Sequence, residues 1–135
     1  MRVVIDTNVF VSSFFGGIPR QVINHWFSGQ LTLCVSRPIL KEYFDVLGRF
    51  QFDQVAFMEK LITTLERGPN ILYVHHPKEQ NWIEGDPADN KFIACAISLH
   101  AKYIVSGDLH LKRMVKVGNV GIVSPRKMLS LIETG

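Results

Sequence analysis

Short, fully apolar runs alternate along the chain with longer segments in which apolar residues recur at helical spacing. Residues 2–6 (RVVID), 31–36 (LTLCVS), 71–74 (ILYV), 103–106 (YIVS) and 120–123 (VGIV) read as strands buried on both faces, because apolar residues follow one another without the polar alternation of a half-exposed strand. Between them, VINHWF closes a short helix near residue 28, and a helix begins after Ser36, with Pro38 in its first turn, and runs to about Phe50. A stretch over 53–66 repeats Val55, Phe57, Met58, Leu61, Ile62 and Leu65 and stops at Gly68-Pro69. After a polar loop over 75–86, Asp86 and Pro87 open a helix reaching about residue 100; a short helix near 109–114 follows the fourth strand, and Ser124-Pro125 starts the last. Strands this short and apolar, alternating with helices, predict an α/β fold with a parallel sheet covered on both faces. In such folds ligands bind beyond the carboxyl ends of the strands.

Two acids stand at such ends: Asp6 follows VVI and Asp108 follows YIVSG. Taken singly, either is explained by turn chemistry, since Asp is a common turn residue. Helical projection at about 100° per residue sharpens the case. In the helix over 87–100, Ala88, Phe92, Cys95, Ala96 and Leu99 set the apolar arc, widened by Ile93, and Asp89 falls inside it, while Asn90, Lys91 and Ser98 hold the polar side. A first-turn acid is favoured by the helix dipole, which accounts for Asp89 in the first turn but not for an inward direction. In the helix after Ser36, Ile39, Leu40, Tyr43, Phe44, Val46 and Leu47 form the arc, with Glu42 at its margin; taken singly, that residue reads as a solvated flank.

Four acids converging on one cleft would repel one another. Two carboxylates roughly 6 Å apart at an effective dielectric near 20 oppose each other by about 3 kcal/mol, enough to raise one pKa by about two. Such a cluster stays ionised around a cation, and ligands that are all oxygen favour Mg²⁺ or Mn²⁺ over zinc.

Composition adds less. The chain has 135 residues, 47% hydrophobic and 20% charged, as expected for one domain over 1–135, with no repeat, linker or apolar run long enough for a membrane span and no signal-peptide pattern. The two cysteines, Cys34 and Cys95, sit in apolar surroundings and are expected as reduced, buried thiols of a cytoplasmic protein. The net charge of +3 is ordinary, but setting the four acids aside leaves 8 acidic against 15 basic residues. A basic body around an acidic cleft suits a polyanion. Lys91, Lys112, Arg113, Arg126 and Lys127 follow the strand ends in sequence and are candidates for phosphate contact, with plain surface charge as the alternative.

The segments VVIDTNVFVSSFF, SRPILKEYFDVLGRF, DPADNKFIACAISLHAKYIVSGDLHL and VGIVSPRKML, in that order, resemble the PIN domain, the metal-dependent ribonuclease fold of VapC-type toxins, over nearly the whole chain. The resemblance places the family's acidic quartet on Asp6, Glu42, Asp89 and Asp108, gives Asp86 a capping or outer role, and gives Asn8 and Ser106 the positions that orient the acids. It implies a three-layer α/β/α fold with about five parallel strands in the order 3-2-1-4-5, and Mg²⁺- or Mn²⁺-dependent hydrolysis of RNA leaving 5′-phosphate and 3′-hydroxyl ends. A partner antitoxin also follows from it. A haloacid-dehalogenase-type phosphatase needs a second Asp where this chain has Asn8, and a receiver domain needs its acceptor Asp after the third strand, where this chain has VHHP. The remaining alternative is a PIN-fold module that binds RNA or protein with its nuclease activity lost or silenced. Phe44, Phe50, Phe52, Phe57 and Met58 make residues 43–62 rich in aromatics, which suits a helix hairpin packed on the sheet or a surface for a second subunit of a homodimer or for an antitoxin helix.

Overall fold

The computed structural model describes residues 1–50, 52–77, 87–107 and 116–135, except the side chains of 87–89. Six strands form one sheet: β1 (Arg2–Ile5), β2 (Thr32–Ser36), β3 (Ile71–Val74), β4 (Tyr103–Val105), β5 (Lys116–Val117) and β6 (Val120–Val123). Among the described residues the helices are α1 (Thr7–Ser13), α2 (Gly17–Phe27), α3 (Arg37–Leu47), α4 (Val55–Arg67), α5 (Pro87–Ser98) and α6 (Pro125–Thr134).

The spatial order is β3-β2-β1-β4-β6-β5. All neighbours pair in parallel except β5, which is antiparallel to β6. The five strands expected from the apolar runs therefore take the expected order, and the correction is a sixth strand at the edge. It escaped notice because two residues, Lys116 and Val117, leave no apolar run to detect. Gly118, at φ +58, lies in the two-residue turn joining β5 to β6, at the position where positive φ favours glycine. The helix expected over 109–114 lies outside the described residues.

A second correction is α1, which starts directly after Asp6. Its sequence TNVFVSS is rich in β-branched residues and poor in helix formers, so propensity alone argues against a helix. Tertiary burial overrides this: Thr7, Val9, Phe10 and Ser13 are all buried. A third concerns α5, whose polar side is narrower than expected, because Asn90 is only 3% exposed. Phe44, placed in the apolar arc of α3, is partly exposed.

Central strands are covered on both faces: Val3, Val4 and Ile5 of β1 and Leu33, Cys34 and Val35 of β2 are all inaccessible. Helix α5 lies against β1, β2 and β4 and touches α3, while α2 lies against α1 and α6. Phe10 stands edge-on to both Trp26 and Tyr43, with ring centroids 5.9 and 4.7 Å apart. None of the described helices is long and apolar enough to cross a membrane.

Cys34 on β2 and Cys95 on α5 are free and buried, as expected. Burial pushes Cys34 up to about 11. Burial, with the neighbouring Cys34 adding to it, pushes Cys95 up to about 12. A thiol that resists ionisation only when folded stabilises the fold below its unfolded pKa, and that contribution is lost as pH rises toward the folded value. The expected result is a urea midpoint that holds up to about pH 8 and then falls, with about 2 kcal/mol lost between pH 9 and 10. A midpoint unchanged over that interval would contradict ionisation of these thiols as the source.

Candidate active site

The carboxyl edge of the sheet gathers polar groups from four elements. β1 ends at Ile5, paired with Val105 of β4. The next residue, Asp6, donates its backbone N–H to the Val105 carbonyl at 3.0 Å, so it continues the ladder one step past the strand. Ser106, directly after β4, donates its own backbone N–H to Val123 of β6 at 2.9 Å. The two side chains then meet: Ser106 Oγ donates to Asp6 Oδ2 at 2.7 Å, with Asp6 only 5% exposed and Ser106 inaccessible.

Asp6 also occupies the N-cap position of α1, with an extended backbone, and its side chain makes no capping hydrogen bond. This separates the two readings of an acid at a strand end. A turn-forming aspartate would turn its carboxylate onto the following backbone N–H groups, whereas here the carboxylate bonds the hydroxyl of a neighbouring strand's end.

Glu42 arrives from α3. Ser36, the last residue of β2, caps that helix by accepting from the Ile39 N–H at 3.4 Å, and Pro38 occupies its first turn. One turn later, Tyr43 is inaccessible and its hydroxyl donates to the carbonyl of Ile5, which ties α3 to the end of β1. Burial, followed by the neighbouring Cys95, Asp6, Glu42 and Cys34, raises the Tyr43 phenol well above its ordinary range, so it remains a donor. Beside it, Glu42 Oε2 accepts from the Thr7 hydroxyl, and Glu42 Oε1 pairs with the Lys91 ammonium at 2.6 Å. Thus β1, α1, α3 and α5 are joined at one place through Asp6, Thr7, Glu42 and Lys91.

The other expected residues are placed unevenly. Asp89 lies on α5, two positions before Lys91, and its side chain is outside the described set; Asp86, Asp108, Lys112 and Arg113 lie outside the described residues altogether. Asn8 is exposed in the first turn of α1, and among the described residues its side chain makes no hydrogen bond. Arg126 and Lys127 are exposed in the first turn of α6, just past the carboxyl end of β6, where the Ser124 hydroxyl accepts from the Lys127 N–H at 3.1 Å. Sequence reasoning missed Thr7 and Tyr43. Thr7 was discoverable, since a hydroxyl next to a strand-end acid is suited to orient a second carboxylate, but Tyr43 looked like any member of an apolar arc.

Among the described residues no three His, Cys, Asp or Glu side chains form a metal-binding group. The chemistry of the two described acids nonetheless fits a hard cation. Both are carboxylates, and they are bonded by the hydroxyls of Ser106 and Thr7, an all-oxygen donor set apart from the Lys91 ammonium on Glu42. Ionising a carboxylate buried as deeply as Asp6 costs free energy, and a bound cation would offset that cost.

The sequence model of the PIN domain family matches residues 2–110. An uncharacterized protein of Methanocaldococcus jannaschii is 28% identical over 134 aligned residues, covering 93% of this chain and 86% of that protein. In fold, the chain is similar to a chain in the crystal structure of VapBC2 from Rickettsia felis bound to a DNA fragment from their promoter. The TM-score is 0.58 at 14% identity, over 92% of this chain and 98% of that one.

Proposed function

Because the chain belongs to the PIN domain family, whose members are generally nucleases using divalent metals, we propose that it is a metal-dependent endoribonuclease and the toxin of a toxin-antitoxin pair. The observation that carries this reading is the Asp6 carboxylate, which lies buried at the end of the central strand, bonded to Ser106 and not spent on capping α1.

Asp6, Glu42, Asp89 and Asp108 would hold Mg²⁺ or Mn²⁺. The cation, when bound, supplies an acidified water and neutralises charge developing on the scissile phosphate. The protein supplies the rest. Ser106 fixes the Asp6 carboxylate, and Thr7 fixes one oxygen of Glu42. Anchoring α3 on Ile5 through Tyr43 keeps Glu42 from drifting along the sheet edge. Preorganised groups of this kind contribute by avoiding rearrangement as charge develops. Lys91, Lys112, Arg113, Arg126 and Lys127 are the proposed phosphate contacts, with Asp86 and Asn8 in supporting roles. The reading takes residues 1–135 as one domain that acts in the cytoplasm.

Partner recognition belongs to the same proposal. Phe44, Phe50 and Tyr73 are 39%, 47% and 49% exposed. Phe44 borders two apolar cavities, of about 360 and 290 Å³, between α3, α4 and the β3 edge. A surface of this kind suits a second subunit or an antitoxin segment, and the R. felis relative in fold was crystallised as VapBC2 on promoter DNA.

The deciding experiment incubates the purified chain with single-stranded RNA and Mg²⁺ or Mn²⁺, with and without chelator. Cleavage should stop in chelator, resume with excess metal, and leave 5′-phosphate ends. RNA retained intact, with retention indifferent to metal, would favour the binding module instead.

A further inference from the structure

Resting on the metal-dependent reading of this site, we infer that Lys91 is a built-in counter-ion that competes with the divalent cation for Glu42. It thereby sets how tightly the site takes up metal. Four observations carry the inference. The Lys91 ammonium lies 2.6 Å from Glu42 Oε1, closer than an ordinary ion-pair contact needs. The pair is sheltered, with side-chain exposures of 19% for Lys91 and 26% for Glu42, unlike the exposed Lys41–Asp45 pair one turn away at 77% and 51%. The second oxygen, Oε2, is engaged by the Thr7 hydroxyl, so both oxygens of Glu42 are already occupied. Finally, Lys91 has somewhere to go: a cavity of about 410 Å³ lies beside the pair, lined also by Lys41, Asp45 and Arg49.

The two engagements differ in what metal binding does to them. A hydroxyl is neutral and a carboxylate oxygen has more than one lone pair, so Thr7 can keep its bond while Glu42 ligates a cation. An ammonium cannot share the same oxygen with a dication without like-charge repulsion. A dication on the same carboxylate therefore repels Lys91 from Oε1, and its long flexible stem lets it withdraw without backbone movement. In the metal-free protein the same residue neutralises Glu42 and keeps it in place. Lys91 is thus a positioning residue whose work is read in metal affinity, apart from any contact with RNA.

The test is Mn²⁺ binding to the full chain, followed by calorimetry and by the electron paramagnetic resonance signal of free Mn²⁺, for wild type and Lys91→Met. Methionine keeps an unbranched stem of similar length and removes the charge. The expected result is about tenfold tighter Mn²⁺ binding by Lys91→Met, and Lys91→Arg no tighter than wild type. Equal or weaker binding by a folded Lys91→Met, with wild type still binding Mn²⁺, overturns this inference and leaves the nuclease reading standing. Absence of Mn²⁺ binding by both proteins overturns both. A second measurement needs no variant: with lysines reductively methylated with ¹³C, the Lys91 resonance should shift as Mg²⁺ fills the site while that of Lys60, on α4 beside Phe27, stays put. An unmoved Lys91 resonance at saturating Mg²⁺ counts against displacement.

Discussion

Asp6→Asn should lower RNA cleavage by about a thousandfold or more, while the protein remains folded. A loss of that size corresponds to about 4 kcal/mol of transition-state stabilisation. The expectation follows from what the substitution keeps. Asparagine has nearly the volume of aspartate, and its side-chain carbonyl can still accept the Ser106 hydroxyl that now bonds Asp6 Oδ2 at 2.7 Å. The backbone N–H to Val105 is unaffected, and no capping bond is lost, because the Asp6 side chain makes none. What disappears is one negative charge at a buried position, under the proposed reading one of the four metal-holding carboxylates. Urea unfolding should therefore show a stability equal to wild type or slightly higher, while cleavage and Mn²⁺ affinity collapse. If cleavage persisted near the wild-type rate in a preparation free of contaminating nuclease, Asp6 would not be a metal ligand and the proposed site would be wrong.

The second large effect is on stability. Phe10→Ala is expected to cost about 3–5 kcal/mol, a large share of the roughly 5–15 kcal/mol by which domains of this size are stable. Phe10 is inaccessible, and its ring stands edge-on to both Trp26 of α2 and Tyr43 of α3. Truncation removes the buried ring, leaves a cavity between three elements, and deletes two aromatic contacts at once. The neighbouring Phe15→Ala, at an 81% exposed position, should change stability by no more than about 0.5 kcal/mol. Chemical denaturation of the two variants side by side measures the difference. A loss below about 1 kcal/mol for Phe10→Ala would mean that α1 contributes little to holding α2 and α3 together.

The sheet was legible because its strands are short and apolar throughout, and because strand ends are marked by polar residues: Asp6 after VVI and Ser106 after YIV. The parallel pairing of β1 with both β2 and β4 places those ends side by side. What could not be read was governed by contacts across the fold. TNVFVSS becomes helix α1 because its Val9 and Phe10 are buried, against the local preference of its β-branched residues. Lys116 and Val117 form a strand only because β6 offers them an edge. Asn90 projects to the polar side of an isolated helix yet is buried, since α5 is enclosed by more than the sheet it covers. For the site, the residue types and their order raise the expectation of an acid cluster, of which the described side chains include Asp6 and Glu42. The roles of Thr7, Tyr43 and Lys91 depend on where α1, α3 and α5 meet, which no spacing along the chain reveals.

The bond between Ser106 and Asp6 joins residues 100 positions apart, and that separation has a consequence for the cell that makes the protein. The ribosome adds Ser106 100 residues after Asp6, so the carboxylate emerges well before a group that fixes it. Until β4 pairs with β1, Asp6 and Ser106 have no common edge on which to meet. Under the nuclease reading, a chain that has emerged only as far as β3 is harmless to the messenger it is being read from, and activity begins only after β4 has cleared the exit tunnel and paired with β1.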